Sequence, residues 1–260
     1  MPYENIILEL EGPIAIIKFN RPKALNALNS ATLDELKQVG SEVALAKEIR
    51  VVIVTGAGEK AFVAGADIQE MKDMTPVQAS AFSHKGHAAL GILENMRKPV
   101  IAAVNGYALG GGFEVALACD IIYASEKARL GFPEVTLGVF PGFGGTQRTA
   151  RLIGAAKAKE LVLSGKVITA QEGFKMGLLN KVTAPDQLMA EARELAAKFL
   201  AAGPVGIGLA KYLVNKSLSL NIDSGLELEA NTFGLCFGTQ DQKEGMTAFV
   251  EKRTPTFQGE

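Results

Sequence analysis

Tryptophan is absent from the 260 residues, tyrosine occurs four times and histidine twice. So few aromatic platforms argue against a sugar-binding cleft. His84 and His87 stand three apart with no apparent third ligand, which makes a poor metal site; a place on an ordinary helix near a pocket rim is expected. Cysteine is equally scarce: Cys119 and Cys236 lie in apolar surroundings without metal-type spacing, and both read as reduced core thiols of a cytoplasmic protein. There is no long basic block, and 27 basic against 28 acidic residues leave a net charge of −1. No nucleic-acid or membrane partner is therefore expected. The opening "MPYENIILELEGPIAIIKFN" lacks a basic segment followed by a continuous apolar run, so no secretory leader is expected. Residues 99–119 are long enough to cross a bilayer. Asn105, Gly106, the triplet Gly110–Gly112 and Glu114 interrupt them, which fits a strand, a turn and a buried helix instead.

With 48% apolar and 21% charged residues, the chain can bury a sizeable core. "NIILEL" and "IAIIKF" flank Glu11-Gly12-Pro13 as an antiparallel hairpin. A helix begins at Ser30 or Thr32, with Glu35 in capping-box spacing, and runs to about Lys47. "VVIVTG" reads as a buried strand, and a helix is expected from Pro76 to Met96. The pattern recurs in "VIAAVNG", a helix at about 111–118, "IIYAS", a long loop and a helix from Thr146. This alternation indicates an α/β fold of repeated units. After "LLNKVTA" only helical patterns follow, so residues 1–200 read as the core and 201–260 as an all-helical region. Its apolar faces would cover the core or a neighbouring subunit. "VVIVTGAGEKA" matches a dinucleotide fingerprint at Gly56, Gly58 and Ala61, but no helix and acidic-ended strand follow it as that motif requires.

From Pro99 to Cys119 the only charge is Glu114, inside the nearly all-apolar "FEVALAC". From Leu130 to Gln147, "LGFPEVTLGVFPGFGGTQ", the only charge is Glu134. A buried, unpaired carboxylate is costly and has a raised pKa. Either glutamate alone fits a structural partner of some arginine. Two such segments look like two walls of one pocket, in which the carboxylates share acid and base work. Gly110, Gly111 and Gly112 open the helix that carries Glu114, so their amides lack intrahelical acceptors and a substrate oxygen can approach closely. That makes an oxyanion site, with a second donor in "VAGAD" at 63–67. The plain alternative is that these glycines only permit tight packing.

"KAFVAGADIQEM", "KPVIAAVNGYALGGGFEVALACDIIYAS", "LGFPEVTLGVFPGFGGTQR" and "EGMTAFVEKR" resemble the enoyl-CoA hydratase (crotonase) family over nearly the whole chain. The resemblance implies a spiral of ββα units followed by a helical trimerisation region, assembled as a homohexamer of two trimers. It implies a coenzyme A thioester substrate and no separate cofactor or metal. By the same resemblance Glu114 and Glu134 are the catalytic pair, and the backbone amides of Ala66 and Gly111 form the oxyanion hole. The Gly142 amide helps hold the reacting water. Coenzyme A is expected along Lys23, Ala24 and Leu25 and along Ala64, Ala66, Asp67, Ile68 and Gln69. Phe233 and Lys252 are expected to reach it from the same or a neighbouring subunit. The implied reaction is reversible hydration of a trans-2-enoyl-CoA to the (3S)-3-hydroxyacyl-CoA. Gln69 departs from the lysine of many relatives. Phe113 and Phe132 stand beside the glutamates where smaller or polar residues are common, and would narrow the acyl pocket toward short chains. Relatives of the fold include isomerases, which generally lack one of the two glutamates, and non-catalytic binding proteins.

Overall fold

The computed structural model describes residues 3–260. Strands β1 (Ile6–Glu11) and β2 (Ile14–Phe19) form the expected antiparallel hairpin, turning at Gly12 with φ +57°. Helix α1 (Ser30–Leu45) begins at Ser30, the first of the two expected starts, and ends two residues short of Lys47. Asn29 is the cap, its side chain accepting from the Thr32 amide at 2.8 Å. Glu35 closes no capping box; its carboxylate accepts instead from the Glu4 and Asn5 amides.

Three successive units then repeat. β3 (Val51–Gly56) is followed by β4 (Ala61–Val63), the single-turn α2 (Ile68–Met71) and the long α3 (Pro76–Asn95). Thr75 and Gln78 form a reciprocal capping box at the start of α3, with Pro76 in the first turn, where its missing N–H is harmless. β5 (Val100–Val104) and β6 (Tyr107–Leu109) lead to α4 (Gly111–Leu117). β7 (Ile121–Ser125) and β8 (Arg129–Gly131) lead to α5 (Gly145–Ile153) and α6 (Ala155–Ser164). Then come β9 (Val167–Thr169), α7 (Ala170–Met176), β10 (Lys181–Thr183) and four further helices: α8 (Leu188–Leu200), α9 (Pro204–Ser217), α10 (Ile222–Cys236) and α11 (Gln240–Glu251).

The first strand of each unit enters a six-stranded sheet ordered β1-β2-β3-β5-β7-β10, and the second enters a four-stranded sheet ordered β4-β6-β8-β9. This is the ββα repeat that the resemblance implies. β3 and β5 are buried throughout because both faces of the large sheet are covered. One face packs on α1, α3 and α4; on the other, Leu188, Ala192 and Ala196 of α8 meet Ile16, Ile53 and Ile101. After β3 the chain enters β4 rather than a helix, so Gly56 opens no dinucleotide turn. A Cβ there would run into the Phe62 backbone.

Residues 99–119 divide into β5, β6 and α4, and among the described residues no single helix is long and apolar enough to cross a membrane. Cys119 is buried as expected, whereas Cys236 is half-buried at the end of α10, correcting its reading as a core thiol. The last three helices leave Ile222, Leu226, Phe233, Leu235, Phe249 and Val250 exposed.

Candidate active site

α4 carries its glutamate at the fourth position, after a start that only glycine permits. Gly110 has φ +48°, and a Cβ there would strike the Glu134 carboxyl group, whose Cδ would lie 2.9 Å away. The Gly110 amide donates to the Gly131 carbonyl at 2.9 Å, tying the end of β6 to the end of β8. Two residues past β8, Pro133 and Glu134 open a 3-10 turn, Pro133–Leu137. The two glutamates, twenty positions apart, thus meet around one glycine turn.

Glu114 is 1% exposed, and its Oε1 accepts from the Phe143 amide at 2.7 Å and the Gly145 amide at 2.6 Å. Burial pushes its carboxyl up to about 7; the nearby Glu134 charge adds to this, while those two amides and Arg148 oppose it. Glu134 is partly buried, its Oε2 enclosed and without a hydrogen-bond partner among the described residues. Burial pushes this carboxyl to about 7 as well.

The amide of Gly111, first residue of α4, has no intrahelical acceptor. The Ala66 amide likewise donates to no group among the described residues. Leu28 joins the two positions. It pairs with Ala66 in a parallel bridge, donating to the Gly65 carbonyl at 2.9 Å and accepting from the Asp67 amide at 2.8 Å. Its side chain also packs beside Gly111, where an added Cβ would lie 3.4 Å from Leu28 Cδ1. Gly142 sits across the site in the loop before α5, its carbonyl accepting from Ser83 Oγ at 2.5 Å.

The structure also brings Lys23, Ala24 and Leu25, all exposed, beside the turn Ala64–Gln69: the Ala64 amide donates to the Leu25 carbonyl at 3.0 Å. Asp67 caps α2, and Ile68 and Gln69 are exposed. A hollow of about 440 Å³ opens beside this loop, with Lys23, Leu25 and Lys60 on its walls. Two residues that hold the loop escaped the sequence reading. Arg21 pairs with Asp67 at 3.0 Å and donates to the Ala27 carbonyl. Asn26, buried at φ +61°, donates to the Ala57 and Ala61 carbonyls and accepts from the Arg21 amide. Its only sequence signal is that asparagine tolerates a left-handed turn. Asn26→Ala is expected to destabilise the chain by about 2 kcal/mol, because it strands buried carbonyls and strains the turn. It should also raise KM for a thioester bound along the loop, with kcat little changed. Denaturant unfolding and steady-state kinetics check both, and an unchanged KM would separate the loop from binding.

Other expected residues lie elsewhere. Phe113 and Phe132 are fully buried, with ring centroids 5.1 Å apart, so they fill the core behind the site and do not wall an acyl pocket. Phe233 is exposed on α10 against Phe237, and Lys252 is exposed at the end of α11. His84 and His87 stand on α3, their ring centroids 6.2 Å apart.

Residues 9–260 match the family model described as enoyl-CoA hydratase/isomerase. The chain is 51% identical over 253 residues to the short-chain-enoyl-CoA hydratase of Clostridium acetobutylicum, covering 97% of each. It is 49% identical over 257 residues to the crotonyl-CoA hydratase of Syntrophomonas wolfei, covering 99% of each. Among solved structures, an enoyl-CoA hydratase from Bacillus anthracis superposes with a TM-score of 0.95 at 41% identity, over 99% of this chain and all of that one. The ββα repeat, the paired buried glutamates and these full-length similarities agree: the chain belongs to the enoyl-CoA hydratase/isomerase family.

Proposed function

We propose that this chain is a short-chain enoyl-CoA hydratase, adding water reversibly to a trans-2-enoyl-CoA to give the (3S)-3-hydroxyacyl-CoA. One observation carries the reading most directly. Two carboxyls, each pushed to about 7 by burial, flank a glycine turn. Near neutral pH such a pair holds about one proton between them, which suits a reaction that takes a proton at one point and gives one at another. The similarity to short-chain and crotonyl-CoA hydratases supplies the substrate class.

In this reading the thioester carbonyl points at the amides of Ala66 and Gly111. As water attacks C3, charge moves onto the thioester oxygen, and those fixed donors stabilise the enolate without having to reorganise. Glu114 takes the proton from the attacking water, which the Gly142 amide helps to hold. Glu134 delivers a proton to C2. Dehydration runs the same path backwards, with the roles exchanged. The chemistry is proton transfer and addition throughout, so no cofactor beyond the coenzyme A of the substrate is invoked. The hollow beside Lys23 and Lys60 offers cationic side chains to the phosphates of the coenzyme.

The exposed apolar residues of α9–α11 support assembly through residues 201–260, as a homohexamer of two trimers. Phe233 and Lys252 would reach the coenzyme within that assembly. Two free cysteines fit a cytoplasmic setting. Incubating the chain with crotonyl-CoA and following loss of the conjugated thioester absorbance tests the activity. Rapid loss with formation of the 3-hydroxy thioester is expected; no loss with any enoyl-CoA would exclude hydration.

A further inference from the structure

We propose that Arg148 is a positioning residue for Glu114, acting through the Phe143 carbonyl as part of a clamp that fixes the loop Phe140–Gly145 to α3. The inference rests on the reading of Glu114 as the acid–base group and adds the device that holds it.

Glu114 receives both of its hydrogen bonds on one oxygen, from two amides of a single irregular loop. A loop can aim two amides inward reliably only if its carbonyls are held from outside. Two of them are. Ser83 Oγ donates to the Gly142 carbonyl at 2.5 Å, and Arg148 Nη1 donates to the Phe143 carbonyl at 2.9 Å. The guanidinium is in turn oriented by a bidentate pair with Glu94: Nε to Oε1 at 3.1 Å and Nη2 to Oε2 at 2.7 Å. Ser83 and Glu94 both belong to α3. The Phe143 ring also seats on α3, over Gly86, where any Cβ would overlap it. Gly144, with φ +107°, completes the fit, since a Cβ there would collide with Arg148 Nη1. Asn215 of α9 donates to the Glu94 carbonyl at 2.9 Å, steadying the far end.

Arginine suits the place. Its planar fork serves a carboxylate and a carbonyl in different directions at once, which a lysine ammonium on a flexible stem does poorly. Its charge also matters. The charged groups that bear on Glu114 are Glu134, which disfavours the ionised form, and Arg148, which favours it. Removing Arg148 therefore loosens the two amides and withdraws a positive charge. Both effects make Glu114 harder to ionise, so the pH needed to generate the base rises.

The test measures kcat, KM and the pH profile of kcat/KM for crotonyl-CoA in the wild type, Arg148→Met, Arg148→Lys and Glu94→Gln, with Glu114→Gln alongside. Arg148→Met should lower kcat by about 10²-fold, the scale for misplacing a reacting group by about an ångström. KM should hold, and the acid limb should move to higher pH. Arg148→Lys should recover part of the rate, because it restores the charge but not the fork. Glu94→Gln, which frees the guanidinium to swing but leaves its charge, should lower kcat by less than Arg148→Met. A folded Arg148→Met with the wild-type kcat and acid limb would overturn the clamp. Should that variant fail to fold, a wild-type kcat in Glu94→Gln would overturn it equally. A wild type that hydrates nothing, or a fully active Glu114→Gln, would instead overturn the reading of Glu114 beneath it.

Discussion

Glu114→Gln and Glu134→Gln are each expected to lower kcat for crotonyl-CoA hydration by about 10²–10⁴-fold, the usual contribution of positioned proton transfer. That is about 3–5 kcal/mol of transition-state stabilisation. KM should change little, since neither carboxyl is needed to hold the coenzyme. The substitutions are close to isosteric. In Glu114→Gln the new side-chain carbonyl can still accept from the Phe143 and Gly145 amides, so the fold should persist. The pH dependence tests the division of labour. Both carboxyls are pushed to about 7 by burial, so the wild-type kcat/KM should be bell-shaped around neutral pH. The limbs report the pair rather than either residue alone. In the hydration direction the base must be ionised, so activity falls as pH drops. The acid must be protonated, so activity also falls as pH rises. Residual activity in Glu114→Gln should lose the acid limb, and that in Glu134→Gln the alkaline limb. If one variant keeps the wild-type rate, that glutamate transfers no proton, and the chemistry belongs to a one-glutamate relative of the fold.

The pair was visible in the sequence because a lone carboxylate among apolar residues is expensive to bury, so its presence twice, each time beside glycines, calls for a reason. The Gly110–Gly112 turn was visible because three consecutive glycines at a helix start have no use in propensity terms. The scaffold around them was harder to see. β4, β6, β8 and β9 have three residues each, too few for a period of two to register, so the second strand of each unit is implied by the family resemblance and not by the hydrophobic pattern. Arg21, Asn26, Glu94 and Arg148 look like ordinary surface residues along the chain. Their roles come from partners as many as 54 positions away, which local pattern does not encode. Phe113 and Phe132 misled for the opposite reason. Closeness in sequence says nothing of direction: Phe113 and Glu114 are neighbours on α4 and point to different faces, and Phe132 lies before the 3-10 turn that carries Glu134.

Gly112→Ala is expected to be the most damaging single methyl in the chain, because the new atom has nowhere to go. A Cβ on Gly112 would overlap the Val63 carbonyl oxygen and lie 2.6 Å from its carbon and 2.7 Å from the Val63 Cβ. These are mostly backbone atoms of β4, fixed by pairing with β6, and cannot rotate aside as a flexible side chain would. Either α4 lifts off β4 or the strand is displaced, at a cost of about 3 kcal/mol or more, above the usual range for a single added methyl. For a chain of this size that lowers Tm by roughly 10 °C. The damage should also reach catalysis in any protein that still folds. The approach of Gly112 to Val63 brings the start of α4 beside the turn that carries Ala66, so lifting the helix moves the Gly111 amide away from its partner donor. Loss of one oxyanion donor costs about 10²–10³ in kcat. Gly225→Ala in α10 is the control: a Cβ there meets nothing within 4 Å, so the change should be neutral or stabilise by up to about 1 kcal/mol through helix propensity. Thermal melts and crotonyl-CoA turnover of the two variants decide the matter. A Gly112→Ala protein with wild-type Tm and kcat would mean that the close contact of α4 with β4 does not hold the two amides together.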